Sequence, residues 1–164
     1  LFFEPGFSMD QIILALHNET RRLSWDSTLQ SQQLIQQLGR VDLVHQIQKP
    51  HALANQRRDI FEKKVGFAFR PENGSKADVC NFFYFSSLDS SEAKELCPEQ
   101  KDTLRTFVFF GMHKFEVLKE AKVVKATLLL QCDAKLNKIK MGLYKAALPT
   151  LSKDFYCSLT KYLK

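Results

Sequence analysis

Clustered glycines and closely spaced cysteines are both missing, and their absence removes the most recognisable nucleotide and metal sites. The six glycines stand singly at 6, 39, 66, 74, 111 and 142, so no Gly-rich loop is available to cradle a phosphate. Cys80, Cys97, Cys132 and Cys157 contain no CxxC pair, and His17, His45, His51 and His113 form no HxH or HExxH group. No metal and no cofactor are therefore assigned. Long apolar runs are also missing: the longest, Phe107 to Met112 counting Gly111, is far short of a membrane span. With only five prolines and ordinary shares of apolar and charged residues, the chain is neither fibrous nor disordered. Leu1–Phe7 has no basic or long apolar leader pattern, so any targeting segment is expected outside these residues.

Arginine is absent from the last third, where the charge is greatest. Residues 111–164 carry eleven lysines against four acidic residues, which accounts for the whole formal excess of +6. Such a field attracts anionic partners without choosing among nucleic acid, an anionic membrane surface or an acidic protein. Lys122, Lys125, Lys138, Lys140 and Lys145 are the candidate phosphate contacts. The lack of Arg forks there also fits a plain solvated face.

Helical spacing dominates the N-terminal part. Ser8 can cap a helix over about 9–23 carrying Met9, Ile12, Ile13, Leu16 and Leu23 on one stripe. Ser27 can cap a second, glutamine-rich helix whose Leu34, Ile35 and Leu38 face inward before Gly39. A third helical segment is expected from Val41 to about Ile47, ending before Pro50, with a further amphipathic turn within His51–Glu62.

The period then becomes two. Lys64–Arg70 and Val79–Phe85, joined by the turn-rich Pro71–Ser75, read as a hairpin. Asp89 and Glu92 suggest a capped short helix to Leu96, followed by a strand over Leu104–Phe110 and a short helix over 113–121. Lys122–Cys132 reads as a strand, continued after a connection by Ile139, Met141 and Leu143. One continuous helix over 113–145 is the rival. Pro149 separates the sheet from a closing helix bearing Leu151, Phe155, Leu159 and Tyr162.

The expected architecture is an α+β domain over 1–164: N-terminal helices in a subregion of about 8–62, then a mixed, mainly antiparallel sheet of about five strands over 63–164 with a closing C-terminal helix. With no catalytic constellation in view, the leading function is a noncatalytic protein-interaction or regulatory domain of a larger intracellular protein, cytoplasmic or nuclear. Its partner would be another protein or another domain of the same chain, contacted through Phe2, Phe3, Phe7 and Trp25. Nucleic-acid binding through the basic third is the first alternative, with strand aromatics such as Phe67, Phe69, Phe82 and Tyr84 either stacking bases or filling a core. A secreted, disulfide-containing binding domain is the second, kept open by four cysteines and by the acceptor triplets at Asn18 and Asn73, although four free thiols and an unmodified Asn73 are expected. The sequence assigns no oligomeric state.

Overall fold

The computed structural model describes residues 1–50, 55–70, 77–88, 90–118, 120–133 and 135–164. Two short helices open the chain after β1 (Phe2–Phe3): α1 (Met9–His17) and α2 (Glu19–Trp25). Ser8 closes a capping box with Gln11, its hydroxyl accepting from the Gln11 amide at 3.1 Å while its own amide donates to Gln11 Oε1 at 3.0 Å. The single helix expected over 9–23 is broken at Asn18, whose side chain accepts from the Arg21 amide at 3.0 Å and starts α2.

Strands follow where helices were expected. β2 (Leu29–Leu38) and β3 (Val41–Gln48) form a hairpin, and β4 (Arg57–Phe69) begins inside the segment read as an amphipathic turn. Gly39, at φ 62°, opens the two-residue turn between Leu38 and Val41, a position that favours glycine in tight hairpins. It is a hairpin turn and not a helix C-terminus. Leu34, Ile35 and Leu38 of β2 have helical spacing and no two-residue period, and pairing with β3 makes the segment a strand because tertiary context overrides weak propensity.

The rest is β5 (Ala77–Ser87), α3 (Ser90–Leu96), β6 (Thr103–Arg105), β7 (Phe107–Leu118), β8 (Val123–Asp133) and α4 (Lys138–Leu163). One eight-stranded sheet results, in the order β1-β8-β7-β5-β4-β3-β2, with β6 parallel to the start of β4 and every other pairing antiparallel. The five-stranded sheet with three N-terminal helices is thereby corrected. Residues 113–118, expected as a short helix, belong to β7, and neither segment of the rival 113–145 helix before Lys138 is helical. Ile139, Met141 and Leu143 are not strand residues either: Asn137 caps α4 by accepting from the Lys140 amide at 2.9 Å, and Pro149 lies within that helix. The Pro71–Ser75 turn and the Asp89 cap fall outside the described residues.

Two cores flank the sheet. On its inner face Phe3, Ile12, Leu16, Phe115, Val124 and Leu159 are fully or almost fully buried, joining β1, α1, β7, β8 and the last turns of α4. Burial of each such side chain stabilises by roughly 1.5–3 kcal/mol. On the outer face Leu43, Phe61, Leu88, Ala93 and Cys97 pack β3 and β4 under α3. Beyond that cover the outer face carries stacked aromatics: Phe67 lies 5.7 Å from Phe82 and 5.5 Å from Tyr84, and Phe69 lies 5.4 Å from Phe82. Phe67 and Phe69 are exposed there, so they belong to no core.

Candidate functional site: a cavity between the sheet and the closing helix

Inner-face packing is incomplete. Between the sheet and α4 lies a cavity of about 610 Å³. Its two walls differ in chemistry because strand alternation aims particular residues inward. From β2, β3 and β4 come Gln32, Gln46, Glu62 and Lys64, and from α1 and α2 come His17 and Arg22. Facing them are Leu128 and Leu130 of β8 with Leu148, Leu151 and Phe155 of α4, and Phe85 and Val108 close the side.

The polar wall is sparsely hydrogen-bonded. Gln46 Nε2 donates to Glu62 Oε1 at 2.6 Å, whereas the buried Gln32 Oε1 has no partner. Burial pushes the Glu62 carboxyl up to about 7. Lys64 Nζ donates to the His17 carbonyl at 3.3 Å, and burial lowers the ammonium's pKa. Arg22 is neutralised by Asp26 at 3.0 Å.

His17 Nε2 and His113 Nδ1 sit 3.1 Å apart, with His17 stacked on Phe83 at 3.9 Å and Phe85 edge-on to His113 at 5.0 Å. One imidazole donates and the other accepts, so the pair fits the neutral form. Burial, and for His17 also the neighbouring His113, holds both well below the ordinary histidine range, His113 at about 3. These rings lie close because Gly66 and Gly111 leave room: a Cβ on Gly66 would sit 2.7 Å from the Phe83 ring, and one on Gly111 would overlap the ring of Phe85.

In a second buried polar cluster, facing the outer side, both oxygens of Asp59 are paired. Asp59 takes His45 Nε2 at 2.8 Å and Arg105 Nη2 at 2.9 Å. Burial opposes its ionisation, but those hydrogen bonds and charges outweigh it and hold the carboxyl below its usual range.

The residues singled out in the sequence are dispersed. Phe3 is wholly buried, Phe7 packs against the same core, and Trp25 donates its indole N–H to the Ala15 carbonyl at 2.9 Å; only Phe2, 59% accessible, faces outward. Lys122 occupies the β7–β8 turn and Lys125 sits on β8, 3.8 Å from Glu116, while Lys138, Lys140 and Lys145 lie on α4. The two-strand phosphate face imagined for them does not exist. All four cysteines are free, and Asn18 is occupied as the α2 cap; Asn73 lies outside the described residues. Among the described residues no group of three or more His, Cys, Asp or Glu side chains is arranged to hold a metal, and no helix is long and apolar enough to cross a membrane.

Glu62 and Lys64 were missed as site residues. Their signal was partly present: both fall on the face of β4 opposite Val65, Phe67 and Phe69, but the strand was expected to begin only at Lys64, with Glu62 in the preceding amphipathic turn.

Around this part-polar cavity, a mostly antiparallel sheet closed by a long C-terminal helix defines an α+β fold. Three solved human structures share it. Human STARD10 is similar at a TM-score of 0.70 with 19% identity over 97% of this chain, and StAR-related lipid transfer protein 5 at 0.75 with 16% identity over 99%. The lipid transfer and protein localization domain of StarD13 follows at 0.72 with 13% identity over 99%. The chain spans 60%, 73% and 75% of those chains respectively. The sequence itself matches no protein-family profile and no curated protein. Fold and cavity overturn the protein-interaction, regulatory, nucleic-acid and disulfide-domain readings: Phe3, Phe7 and Trp25 are used in the inner core, the five lysines are divided among a turn, β8 and α4, and no cysteine is bridged.

Proposed function

We propose that the chain binds one amphiphilic lipid in the cavity between the sheet and α4. The observation that carries this reading is the two-sided lining: buried, under-bonded polar groups on β2–β4 face a leucine-rich wall on β8 and α4. A head group bearing a hydroxyl or amide would donate to Gln32 Oε1 and to Glu62 while its hydrocarbon lies along Leu128, Leu148 and Leu151. Size limits the occupant. At about 610 Å³ the cavity lies in the roughly 300–1,000 Å³ range that encloses one drug-sized ligand, which suits one acyl chain or one fused-ring lipid better than a two-chain phospholipid.

Exit past α4 is also supported. The helix is fully buried only at Leu159, whereas its first half exposes Ile139 (77% accessible) and Leu143 beside Lys138, Lys140 and Lys145. A basic, apolar helix half of this kind suits contact with an anionic bilayer surface.

Titration of the full chain with a fluorescent sterol and with a pyrene-labelled fatty alcohol tests the reading. Trp25, the only tryptophan, reports on the cavity because its ring lies 5.2 Å from that of Phe155 in the wall. One-to-one binding is expected, weakened about tenfold or more by Leu128→Trp in a variant whose circular dichroism is unchanged. No saturable binding of either probe sinks the proposal.

A further inference from the structure

The Glu62 carboxyl forms part of the cavity wall and is almost excluded from solvent. Gln46 satisfies one oxygen at 2.6 Å; the other has no hydrogen-bond partner among the described residues and opens on the cavity. Lys64 stands two residues along on the same face, but its ammonium reaches the His17 carbonyl and makes no ion pair with Glu62. With Arg22 held by Asp26, the carboxylate has no cation at contact distance among the described residues, and its charge depends on solvent that enters the cavity. An apolar occupant removes that water.

Resting on the lipid-binding reading above, we propose that loading of the cavity is coupled to uptake of one proton by Glu62, so that the lipid is held while the carboxyl is neutral and released when it ionises. The proton comes from solvent and adds to the carboxylate oxygen, and no other bond changes. A neutral carboxyl also gains an O–H with which to donate to a lipid hydroxyl or carbonyl.

The surrounding charges fit this assignment. Facing Glu62 or its neighbour Lys64 are Arg22 and Glu19 of α2, His17 of α1, Asp42 and Gln46 of β3, and His113 of β7, with Tyr144 of α4 across the cavity. Both histidines are held neutral by burial, so they add no titration near neutrality. Lys64 acts in the opposite sense, because burying an ammonium drives its proton off. The sign of the proton exchange therefore identifies the group. Since the empty cavity already leaves Glu62 half protonated near pH 7, loading at that pH takes up about half a proton, and affinity falls up to about tenfold from pH 6 to pH 8.

Isothermal titration of the full chain with the sterol or the fatty alcohol, neither of which ionises in this range, is run at pH 6, 7 and 8 in buffers of different ionisation enthalpy. Net uptake near half a proton at pH 7, tighter binding at pH 6, and loss of both dependences in Glu62→Gln support the coupling. Carboxyl-carbon NMR of Glu62 in the empty and loaded protein gives a second readout, with the midpoint moving upward on loading. Binding that is independent of pH with no proton exchange, or with proton release, overturns the coupling and leaves the lipid-binding reading standing. Absence of binding at every pH overturns both.

Discussion

Gly111→Ala is the most direct way to ask whether the cavity is real space. Gly111 pairs with Phe85 across β5 and β7 on the inner face, and the Phe85 ring lies where an alanine Cβ would have to be. Carbon atoms settle about 3.5–4.0 Å apart, so the ring must retreat by more than roughly 1 Å, and because Phe85 lines the cavity it can swing into it. In a filled core such overpacking costs about 1–3 kcal/mol. Here the lower end is expected, because the cavity accepts the ring, and for a chain of this size it lowers Tm by about 2–4 °C. The displaced ring then occupies volume the lipid needs, so probe binding weakens more than stability does. Phe85→Ala in the same chain removes the overlap. The double variant should therefore bind better than Gly111→Ala alone, and the two substitutions should be non-additive in urea denaturation. Equal losses of stability and binding from Gly111→Ala, with strict additivity alongside Phe85→Ala, would refute the reasoning.

Two buried carboxyls should give opposite pH profiles. Glu62 titrates higher folded than unfolded, so its favourable contribution is complete below the unfolded value near 4.5 and is lost as pH rises through about 7. Between pH 5 and pH 8 the ligand-free chain should lose on the order of 3 kcal/mol through this group, and Glu62→Gln should flatten that slope in urea denaturation; parallel slopes would remove the assignment. Asp59 titrates lower folded than unfolded, so its contribution is present above the ordinary carboxylate range and is lost as pH falls through its depressed value. Asp59→Ala, which strands Arg105 and His45, should cost about 3–5 kcal/mol at pH 7; a loss under 1 kcal/mol would show that the cluster is dispensable.

Strands whose two faces differ in polarity were legible, and those with mixed or misleading periods were not. Val65, Phe67 and Phe69 announced the second half of β4, and Val124 to Cys132 announced β8, where the β-branched Val123, Val124 and Thr127 favoured the strand over the rival helix. β2 and β3 failed for a physical reason: Leu34, Ile35 and Leu38 satisfy helical spacing, while on the free edge of the sheet these same side chains stay largely exposed and leave no burial pattern to read. Ile139, Met141 and Leu143 failed in the other direction, a two-residue period on the exposed half of a helix. The cavity was invisible because its polar wall comes from residues such as Gln32, Gln46 and Glu62, which resemble solvent-facing positions until β2, β3 and β4 are laid side by side. Ser8 as a cap was legible because the capping box is wholly local.

A cavity of about 610 Å³ also bears on how long the protein survives. Under the proposed reading the lipid completes the hydrophobic interior, as a detachable part of it. A free ligand concentration one hundred times Kd adds about 2.7 kcal/mol to the folded state, enough to raise Tm by several degrees and to cut the population of open, protease-sensitive chains about a hundredfold. Turnover then follows supply. Where the lipid is scarce the chain would be cleared fastest, and its abundance would serve as a gauge of the molecule it holds.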